Sequence, residues 1–150
     1  MKSIQAQWVL GLIPTDRLPD LATEAISAGI ESKSLVELAG LDPAETDEAR
    51  RLFEDVLNEI GYEGMAKAEA LRAYATAISA SIVKSEIAPF EGAKKIWQAT
   101  LHVGLTSFHD LDAFIYAASE WEDRPQDRSM FEKAIIEEAV RWSGTHIERA

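Results

Sequence analysis

Cysteine is absent from the 150-residue sequence. Its absence excludes disulfide bonds, thiol nucleophiles and cysteine-ligated metals, and it is typical of proteins in a reducing compartment. Basic residues are scarce as well, because 15 lysines and arginines stand against 26 acidic residues, for a net charge of −11. A surface of this sign repels nucleic acid and anionic membranes, so we expect neither as a partner. A negative surface is compatible with a basic protein partner, but the favoured explanation is that acidic surfaces keep cytosolic proteins soluble.

Membrane-spanning and strand signals are missing too. The uncharged, alanine-rich stretch over residues 73–83 is too short to cross a bilayer. The first 14 residues carry one lysine, and two glutamines interrupt their apolar run. They therefore predict a first helix rather than a signal peptide, and we expect a cytoplasmic protein. No segment shows sustained period-two alternation, and no Asn-Gly or Asp-Gly turn occurs.

Helical periodicity is what the sequence does contain. Residues 65–85 are rich in alanine and free of glycine and proline, with Leu71, Tyr74 and Ile78 at helical spacing. Small side chains at many of the other positions let neighbouring helices approach on more than one side. This stretch is predicted to form a central helix on which the other helices pack.

Amphipathic patterns predict the surrounding helices. The clearest covers residues 46–60, whose apolar residues recur at helical spacing. They are Ala49, Leu52, Phe53, Val56, Leu57 and Ile60. Other predicted helices include residues 4–13, 89–101 and 127–143. The residues predicted to face inward are Phe90, Ala93, Ile96, Trp97 and Leu101 in the second of these helices and Phe131, Ala134, Ile135, Ala139 and Trp142 in the third. The sequence thus predicts an all-α single domain over residues 1–150, a compact bundle of seven to eight helices, with residues 145–150 as a frayed tail.

Start and stop signals set the predicted boundaries. Thr15 is predicted to cap the second helix, and Ser34 with Glu37 forms a capping box for the third. Thr106 or Ser107 is predicted to cap the helix before Pro125. Glycines are predicted to end four helices, at Gly29, Gly40, Gly61 and Gly144.

Metal and catalytic motifs are weak or missing. His109 and Asp112 are the weak metal candidates, because they would share one helical face at i, i+3. A metal site normally needs three or more protein ligands, and Asp110 is predicted to bond back to the helix N-terminus instead. We therefore expect no metal. No nucleophile elbow, dinucleotide fingerprint or phosphate loop occurs, so we assign no catalytic residue and expect no cofactor.

Acidic residues are concentrated over residues 42–63, where eight acids face Arg50 and Arg51. Asp55 and Glu59 are like charges one helical turn apart, a small penalty that pairing within the helix does not explain. We therefore predict that this zone binds a partner. Its candidate residues are Asp47, Glu48, Asp55 and Glu59.

A second acidic zone surrounds a tryptophan. Its candidate partner-binding residues are Glu120, Trp121, Glu122 and Asp123. An exposed indole among carboxylates would suit a basic partner. Trp121 also lies three residues after Ala118 on the apolar stripe, which favours packing of its ring at the edge of the core over exposure to a partner.

These observations favour a non-catalytic, acidic helical protein that binds a basic protein, as inhibitors and immunity-type factors do. That comparison is one of charge and size alone. The alternative is a ligand-binding or enzymatic bundle with an internal aromatic-lined pocket. Its candidate lining residues are Trp97, Phe108, Tyr116 and Trp142. Homo-oligomerisation through an apolar face is a third expectation.

Overall fold

The computed structural model describes residues 2–62, 64–105 and 107–149, the last five by their backbone alone. The described chain is 75% helix and has no strands, as the sequence predicts. Its eight α-helices are α1 (Lys2–Val9), α2 (Leu18–Ser27), α3 (Lys33–Ala39), α4 (Thr46–Glu59), α5 (Lys67–Val83), α6 (Pro89–Val103), α7 (Asp112–Asp123) and α8 (Arg128–Arg149). Short 3₁₀ turns, Thr15–Arg17 and Pro125–Asp127, precede α2 and α8. No described helix has the length and apolar character needed to cross a membrane.

Contacts divide the helices into two units. Unit 1 is Gly11–Met65 and contains α2, α3 and α4. Unit 2 is Lys2–Leu10 with Ala66–Ala150 and contains α1 and α5 to α8. The single domain and the frayed tail over residues 145–150 stay predictions.

Unit 1 is built from three helices that all contact one another. The apolar face predicted for α4 is buried, with Val56 fully inaccessible, and Ile60 lies half-buried just beyond the helix end. The buried residues of α2 and α3 complete this core: Leu18, Ala22, Ala25, Leu35 and Leu38. Because each helix buries one face, its charged residues are left on the other.

Glycine ends α4 through its backbone conformation. Gly61 has φ +86°, and its N–H donates to the Asn58 carbonyl at 3.2 Å. The next N–H, of Tyr62, reaches back to the Leu57 carbonyl at 2.8 Å. This pair of bonds is a Schellman motif, which satisfies carbonyls at the helix end. Gly29 (φ +91°) closes α2 and Gly40 follows α3, so these predicted stops are confirmed.

Two predicted caps in unit 1 are wrong. The N-cap of α3 is Ser32, whose hydroxyl accepts the Leu35 N–H at 3.3 Å. Ser34 lies inside the first turn of α3 and is buried. Its hydroxyl donates a hydrogen bond to Glu59 of α4 and therefore does not cap the helix. Thr15 begins a 3₁₀ turn, and α2 starts three residues later with no side-chain cap.

The alanine-rich helix α5 is the centre of unit 2, as predicted, and contacts α1, α6 and α8. Its buried residues are small or aliphatic: Ala70, Leu71, Ala75, Ser79 and Ile82. At one crossing a glycine is required. A Cβ on Gly92 of α6 would lie 2.6 Å from Ile82 Cδ1 and 3.2 Å from Ile78 Cγ2. Glycine therefore sets how closely α5 and α6 approach.

Helix ends in unit 2 differ from the predictions at three places. α1 ends at Val9, before Ile13, because the chain turns at Gly11 with φ +71°. α7 starts only at Asp112, so a cap at Ser107 is wrong, and Thr106 lies outside the described residues. α8 continues through Gly144 to Arg149, so the predicted stop is also wrong.

Some residues predicted to face the core do not. Leu101 is 69% exposed because it lies two residues after the buried Ala99 and therefore on the outer side of α6, and Ala134 is also exposed. Trp97 and Trp142 are half-buried. The remaining predicted core residues of α6 and α8 are buried: Phe90, Ala93, Ile96, Phe131, Ile135 and Ala139.

Candidate functional site

The net charge of −11 divides unevenly between the two units. Residues 11–65 of unit 1 hold 13 acidic residues against four basic ones, a net charge of −9. Residues 2–10 and 66–150 of unit 2 hold 13 acidic residues against 11 basic ones, a net charge of −2. Most of the unbalanced negative charge therefore belongs to unit 1, to its three helices and the segments that connect them, and the candidate site for a basic partner lies there.

The acidic surface of unit 1 is formed by the outward sides of α3 and α4. We define it by five carboxylates: Glu37, Asp47, Glu48, Glu54 and Asp55. α4 buries its apolar residues on one face, so its other positions carry mainly charges. Asp47 and Glu54 are seven residues apart and lie on one side of the helix, two turns from each other.

Arginine 51 partly neutralises this surface. Its guanidinium pairs with Glu48 and lies 3.5 Å from the Asp55 carboxylate. The hydrogen bond that Arg51 donates to Glu48 is the main reason why the pKa of Arg51 is raised, and the charges of Glu48, of Asp55 and of Glu37 on α3 contribute. The same hydrogen bond lowers the pKa of Glu48. Three carboxylates therefore surround one cation, and the cluster stays negative.

Glutamate 59 has a different role from its neighbours on α4. Its carboxylate accepts the Ser34 hydroxyl, the Ser34 backbone N–H at 3.0 Å and the Ser32 hydroxyl at 2.7 Å. These hydrogen bonds lower the pKa of Glu59 to about 2, and the one from the Ser34 hydroxyl has the largest effect. The like charges Asp55 and Glu59 thus have an internal explanation, because these donors stabilise the ionised form of Glu59.

Three carboxylates of the acidic surface remain without an ion pair to any described residue: Glu37, Asp47 and Glu54. All three are exposed. Asp47 was among the sequence-predicted site residues, whereas Glu37 and Glu54 were not. The seven-residue spacing from Asp47 is the signal that would have identified Glu54, but Glu37 joins the surface through the packing of α3 on α4. Lysine and arginine side chains are the natural ligands of such carboxylates.

The second acidic zone, in unit 2, contains a packed tryptophan. The Trp121 ring stacks on Phe90 with centroids 3.9 Å apart, and the Arg128 guanidinium lies 3.8 Å from its centroid. The indole therefore packs against the core residue Phe90, in the role that its position three residues after Ala118 favours. Its neighbour Glu120 pairs with Arg124 at 3.6 Å. Glu122 and Asp123 are exposed, and their binding of a partner stays a prediction.

The weak metal candidates do contact each other. Asp112 Oδ2 lies 3.1 Å from Nδ1 of His109, which precedes α7 rather than lying on it. Asp110 does not cap that helix as predicted, because its carboxylate accepts a hydrogen bond from Arg72 Nε at 2.8 Å. Among the residues that the structure describes, no three histidine or carboxylate side chains are grouped so that they could hold a metal ion.

The aromatic residues of the predicted internal pocket have separate neighbours. The Arg72 guanidinium lies over the Phe108 ring, 5.2 Å from the centroid of that ring. The Trp142 ring packs near Phe114, with centroids 6.4 Å apart. Tyr116 is 61% exposed and lines an open groove between α7 and α8. Each of these rings therefore has a packing or surface role of its own.

Comparisons with known proteins add no relative. The chain matches no protein-family model, no curated protein and no solved structure. The chemistry available at the acidic surface is that of carboxylates on a rigid helical frame. Such groups accept hydrogen bonds from ammonium and guanidinium groups and attract them over several ångströms.

Proposed function

We propose that the protein binds a basic protein through the acidic surface of unit 1. The observation that supports this function is the concentration of charge, a net −9 within the 55 residues 11–65. The role that fits best is that of an inhibitor or immunity-type factor, which covers a basic site on its partner and does no chemistry of its own. As part of the same proposal we place the protein in the cytoplasm, where a chain without cysteine is at no disadvantage.

The exposed carboxylates of the acidic surface that form no ion pair with a described residue are the groups expected to carry the contact. Glu37, Asp47 and Glu54 are exposed and have no ion pair with a described residue, so an incoming lysine or arginine can reach their carboxylates. Charges of one sign on a surface speed the encounter with an opposite surface and exclude acidic competitors. Since such attraction is screened by salt, we expect the complex to weaken strongly as ionic strength rises.

The test is a charge reversal in unit 1 against a matched reversal in unit 2. Asp47→Lys with Glu54→Lys changes two exposed carboxylates of α4, one of them in its first turn. Glu86→Lys with Glu91→Lys makes the same change of net charge in unit 2, and Glu91 also lies in the first turn of its helix. Both variants are compared with the wild type by affinity capture from the native host, and folding is checked by circular dichroism.

The proposal predicts which variant fails. The wild type and the unit 2 variant should retain a partner with a basic isoelectric point. The unit 1 variant should bind that purified partner at least about tenfold more weakly in titration calorimetry. Equal binding by both variants would place the interface elsewhere, and a retained partner that is acidic would contradict the proposed recognition by charge.

A further inference from the structure

A groove between α7 and α8 exposes apolar surface in unit 2. It encloses about 390 Å³, and its walls include Ala113, Tyr116, Met130, Ala134, Glu137 and Arg141. Tyr116 is 61% exposed and Met130 is 53% exposed. Large apolar side chains grouped in this way on a surface are typical of an interaction site.

The sequence of α8 explains why this surface exists. Phe131, Ile135 and Ala139 are spaced by four residues and are buried in the core of unit 2. A second stripe, at i, i+4, i+7 and i+11, lies along the groove and consists of Met130, Ala134, Glu137 and Arg141. α8 therefore carries apolar residues outside the face that is buried in the core of unit 2, and Met130 and Ala134 are the ones that line the groove.

The charges on the second stripe complement each other. Glu137 has no ion pair with any described residue. Arg141 lies one turn further along, is 70% exposed and contacts one carboxylate, that of Glu138, at 2.9 Å. A guanidinium has five N–H donors, so Arg141 has donors left for a second carboxylate. When two copies of a helix run antiparallel, an acidic and a basic residue one turn apart on one copy each face the opposite charge on the other copy.

We infer that a second copy of this chain docks on the α7–α8 groove. In the two-fold arrangement the α8 helices run antiparallel, and Glu137 of each copy faces Arg141 of the other. Tyr116 and Met130 supply apolar contact, while the small Ala113 and Ala134 let a second helix approach closely. A strongly charged partner would gain little here, because unit 2 has a net charge of only −2. The same near-balance of charge limits the repulsion between two copies of unit 2.

The test is the oligomeric state of charge-swapped variants, measured by sedimentation equilibrium over a range of concentrations. Arg141→Glu and Glu137→Arg each place like charges opposite one another, twice by symmetry. Each single variant should raise the dimer dissociation constant at least about tenfold. The double variant Glu137→Arg, Arg141→Glu restores both pairs with their signs exchanged, and it should return the constant towards the wild-type value.

Lys133→Glu is the matched control. Lys133 is exposed on α8 but does not line the groove, and its substitution changes the net charge by the same amount as Arg141→Glu. It should leave the dissociation constant nearly unchanged, and circular dichroism shows whether each variant is folded. A wild-type chain that is monomeric at its highest soluble concentration overturns the inference and leaves the groove to another partner. A dimer that tolerates both single variants places the interface on another face and overturns it as well.

Discussion

Units 1 and 2 are built in the same way and differ in what they present to solvent. Each packs helices through apolar residues at helical spacing, with Val56 of unit 1 and Ile135 of unit 2 both fully buried. Unit 1 nevertheless carries 13 acidic residues against four basic ones, whereas unit 2 carries 13 against 11. Helical periodicity decides which residues are buried and leaves the outward positions free. Charge can therefore be concentrated on one unit without changing how it folds.

The units also differ in how neighbouring helices are held together. In unit 1 the end of α4 is tied to the start of α3 by polar groups, the Glu59 carboxylate and the hydroxyls of Ser32 and Ser34. In unit 2 the crossing of α5 and α6 depends on close apolar contact at Gly92. We therefore expect unit 2 to be the more sensitive to added volume and unit 1 to loss of charge at low pH.

The largest effect is expected from Gly92→Ala. The new methyl group would lie 2.6 Å from Ile82 Cδ1 and 2.7 Å from Ile82 Cγ1, and Ile82 is only 4% exposed. Overpacking of this kind costs about 1–3 kcal/mol of unfolding free energy. Urea denaturation of the variant measures this cost.

Two further variants identify the cause. Ile82→Val removes Cδ1, so the double variant with Gly92→Ala should lose less stability than the sum of the two single variants. Gly144→Ala makes the same substitution within α8, where nothing lies within 4 Å of the new Cβ. It should stabilise by about 1 kcal/mol through helix propensity alone. Equal effects at residues 92 and 144 would contradict the close approach.

Gly61→Val should have the next largest effect, in unit 1. Gly61 has φ +86° with nothing within 4 Å of a Cβ, so the cost comes from backbone conformation and not from a clash. A β-branched residue in this region costs about 1 kcal/mol or more, measurable by urea denaturation. Gly40→Ala is the control, because Gly40 has φ −90° and its nearest Cβ neighbour would be 3.8 Å away. A neutral Gly61→Val would contradict the cap.

Ser85→Gly tests the corresponding helix end in unit 2, with a smaller effect of the opposite sign. Ser85 has φ +59°, and its N–H donates to the Ile82 carbonyl while that of Glu86 reaches Ser81. This Schellman motif lacks the glycine that usually occupies it. Glycine there should raise the unfolding free energy by up to about 1 kcal/mol. Ser81→Gly, within α5, should lower it, and a loss of stability in both variants would contradict the expected relief of strain.

Periodicity and glycine predicted most of the fold. The apolar spacing of residues 46–60 gave the buried face of α4, and Gly29 and Gly61 gave two helix ends. Gly144 shows the limit of such signals, since glycine is tolerated within a helix when packing favours continuation. The sequence could not reveal which of two serines caps α3, because Ser32 and Ser34 are equally suited and the choice depends on Glu59, 25 residues further on.

The candidate site was predictable in location but not in detail. Clustering of acids over residues 42–63 identified α4 as the acidic helix. Which carboxylates stay free depends on contacts between helices. Glu59 accepts hydrogen bonds from α3 and its N-cap, whereas Glu37 joins the surface because α3 packs on α4. Sequence spacing along one helix contains no such information.

The smallest effect on stability, and the sharpest test of the polar tie in unit 1, is expected from Ser34→Ala. The pKa of Glu59 is lowered from 4.5 to about 2, so its ionised form stabilises the fold above about pH 4.5, and this contribution is lost as the pH falls towards 2. Ser34→Ala removes the strongest donor and keeps the backbone N–H. We expect the pKa of Glu59 to rise part of the way towards 4.5, as measured by NMR titration of its side-chain carboxyl carbon.

The pH dependence of unfolding should change with that pKa. Between about pH 4.5 and 2 the Ser34→Ala variant should lose less unfolding free energy than the wild type. The reason is that the pKa of Glu59 in its folded state is then closer to the pKa in the unfolded chain. Glu54→Gln is the control, since Glu54 is exposed on the same helix and has no ion pair with a described residue. It should leave the Glu59 titration in place. Because Glu59 is itself exposed, water replaces part of what the hydroxyl provides, and the chain should stay folded at neutral pH. A Glu59 that titrates near 4.5 in the wild type would mean that unit 1 lacks the polar tie which distinguishes it from unit 2.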